Sequence, residues 1–73
     1  MEELFERITD TTLSGKHGNI FFKTLWESVK NHPEYRVLPT KIKKPNSRKG
    51  YYEWLKKKYD IKETPQHIFY IIF

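Results

Sequence analysis

Ile68-Phe69-Tyr70-Ile71-Ile72-Phe73 is the longest unbroken apolar run in the chain, and every residue in it is β-branched or aromatic. Such a run is far too short to span a membrane and has the composition of a buried strand. Because it is apolar on both faces, it predicts a strand central to a sheet, covered by helices or by a second copy of the chain. Tyr59 to Lys62 supplies a preceding arm and Glu63 to Gln66, with Pro65, a turn, so the C-terminal segment reads as a hairpin over 59–73. A place at the sheet edge would leave its backbone unpaired and favour a homodimer through this strand. Otherwise the chain is a monomer.

Upstream, the spacing predicts a helix from about Arg48 to Tyr59. Tyr51, Tyr52, Trp54, Leu55 and Tyr59 share one broad face, with Glu53, Lys56, Lys57 and Asp60 on the other. Residues 40–49, TKIKKPNSRK, are almost wholly polar and read as a loop, with Asn46 or Ser47 as N-cap of that helix. Glu34 to Leu38 alternates polar and apolar residues, with Tyr35 and Val37 on one face, which predicts a short strand closed by Pro39. Before it, Phe22, Leu25, Trp26 and Val29 fall at i, i+3, i+4 and i+7, predicting a helix over 20–31 that Asn19 caps and Pro33 stops. DTTLSGKHGN at 10–19 is a loop by its small polar residues and its two glycines. Leu4, Phe5 and Ile8 predict a first helix over 2–9.

These elements define an α+β fold: about three short helices packed on a small two- or three-stranded antiparallel sheet, in one domain over 1–73. The order helix, strand, basic loop, basic helix and hairpin also resembles a winged helix, in which one helix enters the major groove and a hairpin flanks it. Two features depart from that order. The turn KETPQ at 62–66 carries little positive charge, and no helix is predicted between the strand at 34–38 and the helix at 48–59.

Charge is the strongest functional signal. Residues 1–35 hold four basic and six acidic side chains, whereas 36–73 hold ten basic and three acidic ones, so the net charge of +5 comes from the second half. Within 41–49, Lys41, Lys43, Lys44, Arg48 and Lys49 bring five cations together. Folding gives no reason for such clustering, but phosphate neutralisation with counterion release does. Asn46, Ser47 and the start of the following helix add neutral donors for phosphate oxygens or base edges. Lys56, Lys57 and Lys58 extend the patch. Of the nearby rings only Tyr52, at the edge of the apolar face, is placed to stack on a base; the others belong to the core.

Sequence therefore predicts a small, non-enzymatic, cytoplasmic nucleic-acid-binding protein acting through residues 41–58, with DNA ranked ahead of RNA. The alternative is a protein-interaction module, of the phage or mobile-element modulator type, that docks on an acidic partner. Cysteine is absent, which removes disulfides and thiolate zinc sites. His17, His32 and His67 have no metal-ligand spacing. His17 beside Lys16 is the best acid–base pair, but it sits between glycines in a loop and reads as a solvated turn. LSGKHGN lacks the spacing of a phosphate-cradling loop. No cofactor is expected, and the acidic N-terminus does not read as a signal peptide.

Overall fold

A computed structural model describes residues 2–73, and among them five helices, three of them longer than one turn, pack on a three-stranded antiparallel sheet. The elements run α1 (Glu2–Leu13), β1 (Asn19–Phe21), α2 (Phe22–Lys30), α3 (Pro33–Arg36), α4 (Thr40–Lys43), α5 (Arg48–Lys58), β2 (Ile61–Glu63) and β3 (Phe69–Ile72). The strand order is β1-β3-β2, so the apolar C-terminal run is the central strand as its composition predicts. Ile71 lies opposite both Ile20 and Ile61 and is buried. Both of its edges are taken, which removes the edge pairing on which a homodimer through this strand depends. Cover on both faces does not follow either. Ile72 and Phe21 point away from the helices and stand 61% and 49% exposed.

Two departures from the sequence reading, at the end of α1 and at the start of α2, come where long-range partners override local pattern. Gly15 and Gly18 both take left-handed backbone; the first ends α1 after Leu13, where an L side chain would be strained. α1 thus runs four residues past the predicted end, through Thr11 and Thr12. Thr9 is fully buried and its hydroxyl shares a 2.6 Å hydrogen bond with the Tyr51 hydroxyl, while Leu13 packs one turn further on. Asn19 and Ile20 pair with Ile72 and Ile71, so Asn19 is not a helix cap, and α2 begins at Phe22 with no side-chain cap at Phe21.

The strand predicted at 34–38 is absent, and a helical turn stands there. His32 caps it by accepting the Glu34 amide at 3.2 Å through Nδ1, and Pro33 occupies the first helical position. Tyr35 turns inward alone, donating its hydroxyl to the Asn46 carbonyl at 3.0 Å and meeting Trp26 edge-on at 5.9 Å. Val37, expected on the same face, is 80% exposed. Residues 40–49 are not all loop either, since Thr40–Lys43 forms one further turn.

Phe5, Ile8, Phe22, Leu25, Val29, Tyr51, Leu55 and Ile71 form the centre of the core. Tyr51 is its hub: its ring lies 5.0 Å from Phe5 and 5.8 Å from Phe22 and from Trp54, centroid to centroid. Among the described residues no buried side-chain polar atom lacks a partner. No described helix is long and apolar enough to cross a membrane.

Gly50 fixes how the loop meets α5. A Cβ at this position would lie 2.8 Å from the Pro45 carbonyl oxygen. That loop is tied down at the next residue by the Tyr35–Asn46 bond, so neither side has room to give. Gly50→Ala is expected to destabilise by about 1–3 kcal/mol through overpacking, against the roughly 1 kcal/mol that alanine gains in an open helix. Urea unfolding checks this, and a variant more stable than the parent would show that the loop yields.

Candidate functional site

The helix α5 carries Arg48, Lys49, Lys56 and Lys57 of the predicted cations because its apolar stripe is narrow. Tyr51 and Leu55 are buried and Tyr52 and Trp54 half-buried. Stepping 100° per residue, Arg48, Tyr52 and Lys56 lie along one edge of its outward face, with Lys49 beside them and Glu53 and Lys57 further round. Ser47 stands at the N-cap, yet its hydroxyl makes no capping bond.

The predicted residues do not form one patch. Lys44, Ser47 and Lys49 line a shallow hollow with Pro45, Gly50 and Glu53. Arg48, Lys49 and Tyr52 line a second with Phe69. These five, Lys44, Ser47, Arg48, Lys49 and Tyr52, are therefore neighbours. Lys43 and Asn46 turn elsewhere. The Lys43 ammonium donates to the Arg36 carbonyl at 3.3 Å and lies 5.9 Å from the Tyr35 ring centroid. The Asn46 amide donates to the Ile42 carbonyl at 3.0 Å, closing the C-terminal end of α4. Asn46 and Lys57 both line a third hollow, shared with Glu2 and Glu53, where the local charge is mixed. Lys41 and Lys56 are exposed, as are the other free lysines around them. Lys58 is engaged, pairing with Glu6 at 2.9 Å and lying over Trp54 at 5.6 Å. The bond to Glu6, ahead of any opposing effect, holds its pKa above the ordinary lysine value.

Four further residues reach the same end of the molecule, and sequence reasoning missed them. Phe22, Lys23, His67 and Ile68 line a hollow that shares Arg48 and Phe69 with the one beside Tyr52. The Arg48 guanidinium sits 4.9 Å from the Phe22 centroid, a cation–π contact worth about 0.5–1 kcal/mol at an accessible site. Tyr52 meets Phe22 edge-on at 5.6 Å and Phe69 at 5.2 Å. No local signal in the sequence joins residues 22–23 to 48–52 and 67–69. The β1–β3 pairing, which carries the start of α2 to the hairpin, and the packing of Phe22 on α5 bring them together.

That hairpin is held by a short bonded loop. The Thr64 amide donates to the Ile68 carbonyl at 2.9 Å, and the Thr64 hydroxyl accepts the Ile68 amide at 3.2 Å. His67 takes left-handed backbone at φ 63° and lies 2.7 Å from the Glu63 carboxylate through Nδ1. His17, in the best acid–base pair that the sequence offers, stacks at 6.4 Å on Phe73, at the opposite end of the β1–β3 pair from Phe22. Among the described residues no group of three or more His, Asp or Glu side chains is gathered to hold a metal ion. Comparison with family models, curated proteins and solved structures found no match.

Proposed function

We propose that this chain is a cytoplasmic, non-enzymatic nucleic-acid-binding protein that meets the phosphate backbone with the N-terminal half of α5 and the turn before it. One observation carries the reading: Lys44, Arg48 and Lys49 converge on two adjoining hollows, and none of the three takes part in an ion pair among the described residues. Cations gathered without a carboxylate bonded to them are poised to exchange counterions for phosphates. Lys41 and Lys56 extend the contact to either side, while Lys43 and Asn46 position the loop through their backbone bonds. DNA is favoured over RNA because an exposed helix edge bearing Arg48, Tyr52 and Lys56 suits a major groove wide enough to admit it. The element order also supports this reading. A strand precedes α2 and a hairpin follows α5, as in a winged helix, although the first strand is Asn19–Phe21 and not 34–38.

Affinity for duplex DNA is expected to fall with salt with a log–log slope of about −3 to −4, or roughly a hundredfold between 50 and 200 mM, for three or four neutralised phosphates. Arg48→Gln with Lys49→Gln should bring the slope nearer zero by about 2. Fluorescence anisotropy across a salt series measures both, and a flat series would remove the reading.

A second reading, docking on an acidic protein, draws on Val37 and Ile42, which stand exposed next to Arg36 and Lys41. Exposed apolar side chains flanked in the chain by cations suit a protein partner's surface. Capture of a protein partner that persists after nuclease treatment would favour it.

A further inference from the structure

The two hollows that meet at Arg48 and Phe69 form one groove, running from the start of α5 to the hairpin. Its rim carries Lys23, Arg48 and Lys49, and its walls carry Phe22, Tyr52 and Phe69. No Asp or Glu lines either hollow, so the charge selects an anion. The walls select a planar ring. Tyr52 and Phe69, both half-buried, meet at 67° with centroids 5.2 Å apart, which makes an aromatic corner lining the hollow. The hollow at that corner has a volume of about 250 Å³. That is just under the roughly 300 Å³ at which sites for drug-sized ligands begin, so it accommodates one ring system and not a strand or helix of a partner.

An anionic group and a planar ring in one small ligand is the chemistry of a nucleotide. Resting on the nucleic-acid reading above, we infer that this groove takes a single unpaired nucleotide, its base against Tyr52 and Phe69 and its phosphate on Arg48 with Lys23 or Lys49. A fully paired duplex keeps its bases stacked and cannot fill the corner. A bulge, mismatch or single-stranded junction presents a base at small unstacking cost. The groove thereby turns a general affinity for phosphates into a preference for interrupted duplex.

The test is an anisotropy titration of the full chain, at one salt concentration, against a short duplex, the same duplex with a one-nucleotide bulge, and that bulge made abasic. Stacking of one base on an aromatic side chain predicts tighter binding of the bulge by about 5- to 100-fold. The abasic bulge should return to the affinity of the paired duplex. Tyr52→Ala should bring the bulged and the fully paired duplex to equal affinity, whatever it does to duplex affinity itself. Lys49→Gln, at an exposed position that lines both hollows beside α5, should weaken binding to all three probes. Equal affinity for all three probes would overturn the groove and leave the phosphate-binding reading standing. No binding to any of them would overturn both. The abasic comparison needs no variant, so a Tyr52→Ala protein that fails to fold does not rescue the idea.

Discussion

Tyr51→Ala is expected to leave a chain with no cooperative unfolding transition at 25 °C. The Tyr51 side chain is fully buried, and its ring touches α1 through Phe5, α2 through Phe22 and Trp26, and its own helix through Trp54. Truncating a large aromatic residue at such a site costs about 3–5 kcal/mol, from lost transfer energy and the cavity left behind. A domain of this size, with no cysteine to form a disulfide, rarely holds more than about 3–5 kcal/mol in total. The substitution therefore removes most or all of the margin. Tyr51→Phe separates packing from the hydrogen bond. It keeps the ring but orphans the buried Thr9 hydroxyl, at a cost of about 1–3 kcal/mol. Tyr51→Phe paired with Thr9→Val should recover much of that loss, because no polar group is then left unpartnered. Far-UV circular dichroism through a urea titration reads all three. A cooperative transition for Tyr51→Ala near the parent midpoint would show that the core closes over the gap.

The same phenol makes the fold sensitive to alkali. Burial pushes the Tyr51 hydroxyl up to about 12; the hydrogen bond to Thr9 partly opposes this, and the charge on ionised Tyr59 adds to it. Burial likewise raises Tyr35 and Tyr59 above the ordinary tyrosine value. A group whose folded pKa exceeds its unfolded one favours the fold fully below the unfolded value, near 10, because both states are then protonated. As pH rises from about 10 to 12 the unfolded chain ionises first, and stability falls. For a two-unit difference the loss from Tyr51 approaches roughly 2–3 kcal/mol. Urea midpoints should hold steady toward pH 10 and then drop steeply. Tyr51→Phe, though weaker overall, should show a shallower alkaline limb. A parent midpoint that does not move between pH 9 and 11.5 would count against a buried, protonated phenol.

How much of this was legible in the sequence varies with the range of the interaction. The apolar stripe of α2 and the buried face of α5 follow from spacing within one helix, and they stand where that spacing puts them. The centrality of β3 follows from its composition. The strand expected at 34–38 fails because two alternating side chains are weak evidence without a neighbouring strand. The helix signal was also present, with His32 as cap, Pro33 at the first position and Glu34 in the first turn. β1 was missed because three residues carry almost no periodicity, and their partners lie some fifty positions away. For the candidate site, the cations on α5 were legible as a charge cluster. Lys43 and Asn46 were grouped with them by proximity in sequence, yet backbone carbonyls on their own side of the loop hold them. Lys23, Phe22 and Phe69 could not be found from local pattern, since the sheet and the packing of α2 on α5 carry them to Arg48.

The order in which β3 finds its neighbours has a consequence for the chain during synthesis. Ile61–Glu63 precedes it by a few residues and Asn19–Phe21 by about fifty, so every backbone group it pairs with has already been made when it is translated. Ile68–Phe73 is also the segment with the strongest cross-β character: β-rich, uncharged and free of proline and glycine. Were it first in the chain, it would wait unpaired while the helices were made, free to pair with copies of itself. Placed after both of its partners, it meets strands that are already made, and it never waits unpaired for their synthesis.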